Sequence, residues 1–176
     1  MKKILIIVDM LNDFVHKDGV LYFKDVEKIT NKIKELIKTQ SYYSLIYLCD
    51  SHKSDDKEFE KFPPHAIKNT WGAEIIDDLN PNDINRNVEE VTLIVEKQRY
   101  SGFYNTDLNH ILYFINPDEI EVVGVCTSIC VMGTVGGLTN RDYNVIVRKE
   151  MVADFDPEMH KFSLERMKNI YGTKII

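Results

Sequence analysis

This sequence predicts an α/β fold: a doubly wound, mainly parallel six-stranded sheet with helices on both faces. Three observations predict it. Short runs rich in isoleucine and valine recur along the whole chain, segments with helical spacing of apolar residues lie between them, and reactive polar side chains gather just after the runs end. Runs that are apolar at consecutive positions suit strands buried on both faces, as in a sheet sandwiched between helices. Regular alternation of strand and helix then implies crossover connections, which make neighbouring strands parallel.

The first run is "KKILIIV" (2–8), followed by a helix over 25–39 whose apolar Val26, Ile29, Ile33, Leu36 and Ile37 share one face. "SLIYLC" (44–49) is the second strand. The polar stretch 50–90 carries Pro63, Pro64 and Pro81 and no good strand, and a connection of that length in a compact domain is usually functional. "VTLIVE" (91–96) precedes a helix over 106–115 opening on Thr106, and "IEVVGV" (120–125) precedes one over 128–141. "YNVIVR" (143–148) leads to a helix over 157–169, whose start at Asp156-Pro157 combines a capping carboxylate with a first-turn proline. "GTKII" at the end adds the sixth strand. Gly133, Gly136 and Gly137 in the 128–141 helix each cost roughly 1 kcal/mol of helix propensity, which close packing on the sheet would offset.

A chain of 176 residues, 44% hydrophobic, has enough apolar material for one full core and too little for two. Residues 1–176 are therefore expected to form a single domain. The net charge of -6, with lysine and arginine dispersed among acids, provides no footprint for nucleic acid. "MKKILIIVDM" begins like a signal peptide, but its apolar run stops at Asp9 and no segment approaches membrane-spanning length. A cytoplasmic location without a membrane partner is the expectation. Cys49, Cys126 and Cys130 are an odd, sparse set without C-x-x-C spacing, which disfavours both a disulfide framework and a zinc ribbon.

In a parallel α/β sheet, ligands bind beyond the carboxyl ends of the strands, where loops and helix starts converge. Asp9 follows the first strand, Asp50 and His52 the second, Lys97 the third, and Cys126 to Cys130 the fourth. If Thr127 or Ser128 caps the next helix, Cys130 lies in its first turn, where free N–H groups and the positive dipole end favour a thiolate. Lys97 would lower that thiol's pKa further, and Asp9 could take its proton. A buried cysteine also packs well as a small hydrophobe; that is the preferred reading for Cys49 and Cys126.

The second constellation is "CDSHKSDDKEFEKFPPH". Asp50 and His52 project to the same side of an extended segment, and His65 returns after a loop closed by Pro63-Pro64. Two imidazoles and a carboxylate suit zinc, iron or manganese with positions left open. The competing reading makes the histidines ordinary hydrogen-bonded residues and "DDKEFE" a solvated loop face. His16, His110 and His160 are expected at the surface.

With those motifs in view, the chain resembles the isochorismatase-like cysteine hydrolases over nearly its whole length, and within them the nicotinamidase/pyrazinamidase group. "IIVDMLNDF" resembles the opening motif, implying Asp9 as the triad aspartate and Phe14 as a wall of an aromatic pocket. "VEKQRYSGFYNTDL" resembles the segment with the triad lysine, here Lys97, and Tyr100 would line the site. "GVCTSICVMGT" resembles the nucleophile motif and puts the thiol at Cys130. "CDSH", "FPPH" and "NTWGAE" resemble the metal segment, implying Asp50, His52 and His65 as ligands, with Glu58 as an additional direct or water-bridged one. Two departures stand out: Phe62 replaces the tryptophan common before Pro-Pro-His, and Ala66 follows His65 where cysteine is common.

The resemblance implies hydrolysis of nicotinamide to nicotinate and ammonia through a cysteine thioester. One divalent ion, zinc before iron or manganese, would orient the pyridine ring between Phe14 and Phe62, and no nucleotide cofactor is needed. The N–H groups of Cys126 and Cys130 would meet the oxyanion, with a cis peptide at Val125–Cys126, and homo-oligomers are usual in the family. Another family amidohydrolase acting on a carbamoyl or ureido substrate is the alternative. A phospho-receiver domain shares the sheet, the acidic strand ends and a lysine, but is shorter and needs no cysteine.

Overall fold

The computed structural model of the chain describes residues 1–82 and 88–176. Six parallel strands form one sheet: β1 (Lys3–Val8), β2 (Tyr42–Asp50), β3 (Val88–Lys97), β4 (Glu119–Val125), β5 (Val145–Ala153) and β6 (Lys174–Ile175), in the order β3-β2-β1-β4-β5-β6. The helices are α1 (Asn12–Val15), α2 (Glu27–Thr39), α3 (Leu108–Ile115), α4 (Met132–Thr139) and α5 (Pro157–Asn169).

Side-chain alternation along β1 explains the layering. Leu5 and Ile7 face α2, against Ile33, Leu36 and Ile37, while Ile4, Ile6 and Val8 face Leu112 of α3, Val135 of α4 and Met167 of α5. Burying each such side chain contributes roughly 1.5–3 kcal/mol, so the central strand anchors both cores. From β1 the chain leaves toward β2, and from neighbouring β4 it leaves toward β5. Their carboxyl ends therefore open a crevice at the topological switch point. Gly124 makes this junction tight: its φ is 114°, and a Cβ there would stand 2.1 Å from the Val8 carbonyl oxygen.

The helix over 157–169 has the bounds its sequence predicts. Asp156 accepts hydrogen bonds from the N–H groups of Glu158 and Met159 at 2.9 and 3.1 Å, a cap that stabilises by about 1 kcal/mol. Other elements differ from expectation for identifiable reasons. Strand β3 is not covered on both faces; it is a sheet edge with Val91 and Ile94 exposed. Strand β5 runs on to Ala153; its second half, with Lys149 and Glu150 exposed, lacks the continuous apolar run by which the sequence marks a strand. The predicted 128–141 helix starts instead as a wide turn over Thr127–Val131, with the N–H groups of Ile129 and Val131 both donating to Cys126 O. Gly137 faces a ring rather than the sheet: a Cβ there would meet Phe103 Cδ2 at 2.5 Å.

Residues 50–90 are organised by short 3₁₀ turns at Lys57–Glu60, Trp71–Ala73 and Asp77–Leu79 and by two isolated bridges. One pairs Leu11 with Ile75 and the other His52 with Ile67. The end of this stretch, from Val88, is already strand, while 83–87 lie outside the described residues.

Candidate active site

Each strand end delivers one polar group to the crevice. Asp9 leaves β1 in the left-handed region, φ 49°, which few residues besides glycine, asparagine and aspartate adopt routinely. Its N–H donates to Leu48 O, and its Oδ1 accepts from Asp50 N–H at 2.8 Å. Oδ2 faces Lys97 Nζ at 2.7 Å. The same ammonium donates to Asp50 Oδ1 at 2.6 Å and reaches Cys130 Sγ at 3.5 Å. One ligand-type atom from each of Asp9, Asp50 and Cys130 falls within 4.8 Å of the others. All four residues are buried.

Burial pushes the Asp9 pKa up, Asp50 adds to this, and Lys97 opposes it, leaving a value of about 6. Burial also drives the Cys130 thiol well above its ordinary range, with Lys97 pulling down and Asp9 and Asp50 pushing back. Against the pull of the turn's N–H groups and of Lys97 toward a thiolate, burial is the larger influence on this thiol. Although burial disfavours its charge, Asp50 and Asp9 hold Lys97 well above the usual lysine value.

The cap expected from Thr127 or Ser128 is supplied from elsewhere. Asp154, just beyond β5, accepts from Ser128 N–H at 2.6 Å. Thr127 Oγ1 instead bonds His160 Nδ1 at 2.9 Å, so His160 is half-buried against this turn rather than a free surface residue. His16 is also half-buried, edge-on to Trp71, whereas His110 is exposed. The Val125–Cys126 peptide bond is cis. Cys49, Cys126 and Cys130 are all free thiols. Cys49 belongs to the core, while Cys126 also walls the cavity.

Asp50, His52 and His65 each offer a ligand atom within 4.8 Å of the other two, and all three are buried. His52 Nε2 lies 3.7 Å from Asp50 Oδ2. It is a buried nitrogen without a hydrogen-bond partner among the described residues. Its Nδ1 meets Asp56 Oδ2 at 3.1 Å, and His65 Nδ1 meets Pro63 O at 2.7 Å. A carbonyl oxygen can only accept, so His65 Nδ1 is the donor of that bond, which leaves Nε2 as the nitrogen available to a metal. Outer oxygens of this kind are how proteins aim imidazoles at a metal. Burial disfavours a charged His52, yet Asp50 and Asp56 raise its pKa; the same local excess of negative charge attracts a cation. The donor set therefore fits a divalent ion.

Glu58 is buried beside this cluster, where burial and then Asp50 raise its pKa. It stands outside the group whose ligand atoms share 4.8 Å. Phe14, Phe62 and Tyr100 all line the adjoining cavity of about 320 Å³, together with Tyr22, Phe23 and Phe155. Sequence reasoning missed those last three rings. It also missed Phe59, edge-on to His52 and His65 at 5.5 and 5.6 Å. Asp56 hid in "DDKEFE", read as a solvated face, although it stands one helical repeat after His52 and binds Arg99 Nη1 at 2.9 Å. The spacing of four from His52 was the available signal; the burial that separates Asp56 from Asp55 and Lys57 is visible only in the fold.

A thiol, a carboxylate and an ammonium buried together on one rim of a parallel sheet are the parts of a nucleophilic hydrolase. The isochorismatase-domain family model matches residues 3–175, and the chain belongs to the isochorismatase family. A curated Bacillus subtilis relative, described as the uncharacterized isochorismatase family protein PncA, is 36% identical over 183 residues and matches over 99% of each chain. The crystal structure of nicotinamidase PncA from Bacillus subtilis has a TM-score of 0.87 and 33% identity, over 99% of both chains. That of pyrazinamidase of Pyrococcus horikoshii in complex with zinc has a TM-score of 0.85 at 28% identity, covering 100% of this chain and 99% of that one. Family membership removes the phospho-receiver alternative. Among the described residues, no helix is long and apolar enough to cross a membrane.

Proposed function

We propose that this protein is a nicotinamidase, hydrolysing nicotinamide to nicotinate and ammonia. The observation that carries the reading is the double role of Asp50, whose Oδ1 binds Lys97 while Oδ2 faces His52. A nucleophile cluster and a cation seat thus share one residue and open on one cavity lined largely by aromatic rings. A flat heteroaromatic amide suits such walls, and the volume is that of a small-ligand pocket.

Asp50, His52 and His65 would hold the ion, zinc before iron or manganese, with Glu58 as an additional direct or water-bridged ligand. When bound, such an ion supplies a Lewis-acid anchor for a ring nitrogen. Phe14 and Phe62 flank the ring, and Tyr100 bounds the carboxamide end. Asp9, ionised above about pH 6, takes the proton from Cys130 Sγ as sulfur attacks the carboxamide carbon. The N–H groups of Cys126 and Cys130 are the ones assigned to the oxyanion, as the family resemblance implies; those of Ser128, Ile129 and Val131 are donated to Asp154 and Cys126 O. The carbon–nitrogen bond breaks as Asp9 returns its proton to the leaving nitrogen, releasing ammonia. Water, deprotonated by Asp9, then opens the thioester, and that proton goes back to sulfur.

The reading treats residues 1–176 as one domain, working as a homo-oligomer in the cytoplasm, a compartment that keeps three free thiols reduced. Ammonia release from nicotinamide, assayed before and after chelation, tests it. Hydrolysis that is lost on chelation and absent in Cys130→Ala supports the assignment. Turnover of a ureido or carbamoyl amide with none of nicotinamide would transfer it to the alternative substrate class.

A further inference from the structure

Asp13 is a buried carboxylate that the chemistry above does not use. Among the described residues it forms no ion pair; it is held by backbone N–H groups from two segments. Oδ2 accepts from Ala66 N–H at 2.7 Å, and Oδ1 from Val20 N–H at 3.4 Å. Its own carbonyl accepts from Leu21 N–H at 2.8 Å. Gly72 leaves it room, since a Cβ there would stand 2.0 Å from Oδ2.

Each of these bonds ends beside the site. Ala66 follows His65 directly and sits at φ 42°, a left-handed conformation that alanine rarely adopts, so its backbone needs an external tie. Leu21 lines the cavity, and so does Phe14, which follows Asp13 and packs edge-on to His65 at 5.5 Å. Asp13 therefore ties the histidine loop, the cavity rim and the aromatic wall to one short helix. We propose that Asp13 is a positioning residue: its carboxylate fixes the His65–Ala66 loop in the one geometry that lets His65 join Asp50 and His52 around a cation. The inference rests on the reading of those three residues as a metal seat.

Zinc affinity, measured by competition with a chromophoric chelator, tests it without any substrate. Asp13→Asn keeps the shape but turns one hydrogen-bond acceptor into a donor, and is expected to weaken zinc binding at least tenfold. Gly72→Ala, which leaves the charge but displaces it, is expected to do the same. Alkylation of Cys130 by iodoacetamide in the zinc-free proteins, read by mass spectrometry, should keep its wild-type rate in both, because the bonds of Asp13 go to Val20, Leu21 and Ala66 rather than to the strand ends that carry Cys130, Lys97 and Asp9. Wild-type protein that takes up no zinc would sink the metal reading itself. Wild-type zinc affinity in a folded Asp13→Asn variant would overturn the positioning role alone. A parallel change in alkylation, or failure of both variants to fold, would also overturn it, by making Asp13 a general structural residue.

Discussion

Lys97 Nζ lies 2.7 Å from Asp9 Oδ2 and 2.6 Å from Asp50 Oδ1, so a single ammonium holds these two buried carboxylates at the mouth of the sheet. Removing it in Lys97→Ala leaves both acids desolvated and mutually repelling. Uncompensated buried charge of this kind costs about 3–5 kcal/mol. Amide hydrolysis should fall by at least two orders of magnitude, with a matching drop in unfolding free energy in urea. Unchanged stability would mean that the ammonium does not neutralise this pair.

The acid limb of the rate profile follows from Asp9. Its pKa is pushed up to about 6 by burial and by Asp50, against the pull of Lys97. As the proton acceptor it works only when ionised, so kcat/KM should be flat above that pH and fall tenfold per unit below it. Alkylation of Cys130 should show the same break. A limb absent from both measurements would remove Asp9 as the base.

Asp56 meets the three proposed ligands through its Oδ2, 3.1 Å from His52 Nδ1. Asp56→Asn should weaken metal binding by roughly 10–100-fold, the usual consequence of loosening an outer partner. Isothermal titration with zinc measures it. Equal affinity in variant and wild type would show that His52 is aimed by packing against Phe59 instead.

Far from the site, Glu121 of β4 is buried and bound by Tyr42 Oη at 2.5 Å, Arg148 Nε at 2.7 Å and Lys3 Nζ at 2.6 Å. Burial would raise its pKa, but these partners hold it below the ordinary 4.5. The folded state therefore binds this proton less readily than the unfolded one. Its contribution is fully present above pH 4.5 and lost as pH falls toward the lower folded value. Glu121→Gln should destabilise the protein by about 3 kcal/mol at pH 7 and flatten the acid side of the stability curve, as urea melts at pH 7 and pH 4 would read.

By itself the sequence determined the sheet, its winding and the positions from which Asp9, Asp50, Lys97 and Cys130 reach one rim. These are local matters: apolar runs, helix spacing, and a polar residue at the end of each strand. The resemblance carried by "IIVDMLNDF" and "GVCTSICVMGT" reached further, to the family that the chain proves to belong to. Tertiary structure alone decided which side chains from distant segments meet. Asp56 and Glu58 turn inward while Asp55, Lys57 and Glu60 face water, His160 folds back onto Thr127, and Asp154 caps the cysteine turn from beyond β5. It also decided how strongly the thiol is desolvated, because that depends on everything packed around Cys130. Periodicity records which face of an element is buried, but not which groups from other elements will be buried with it.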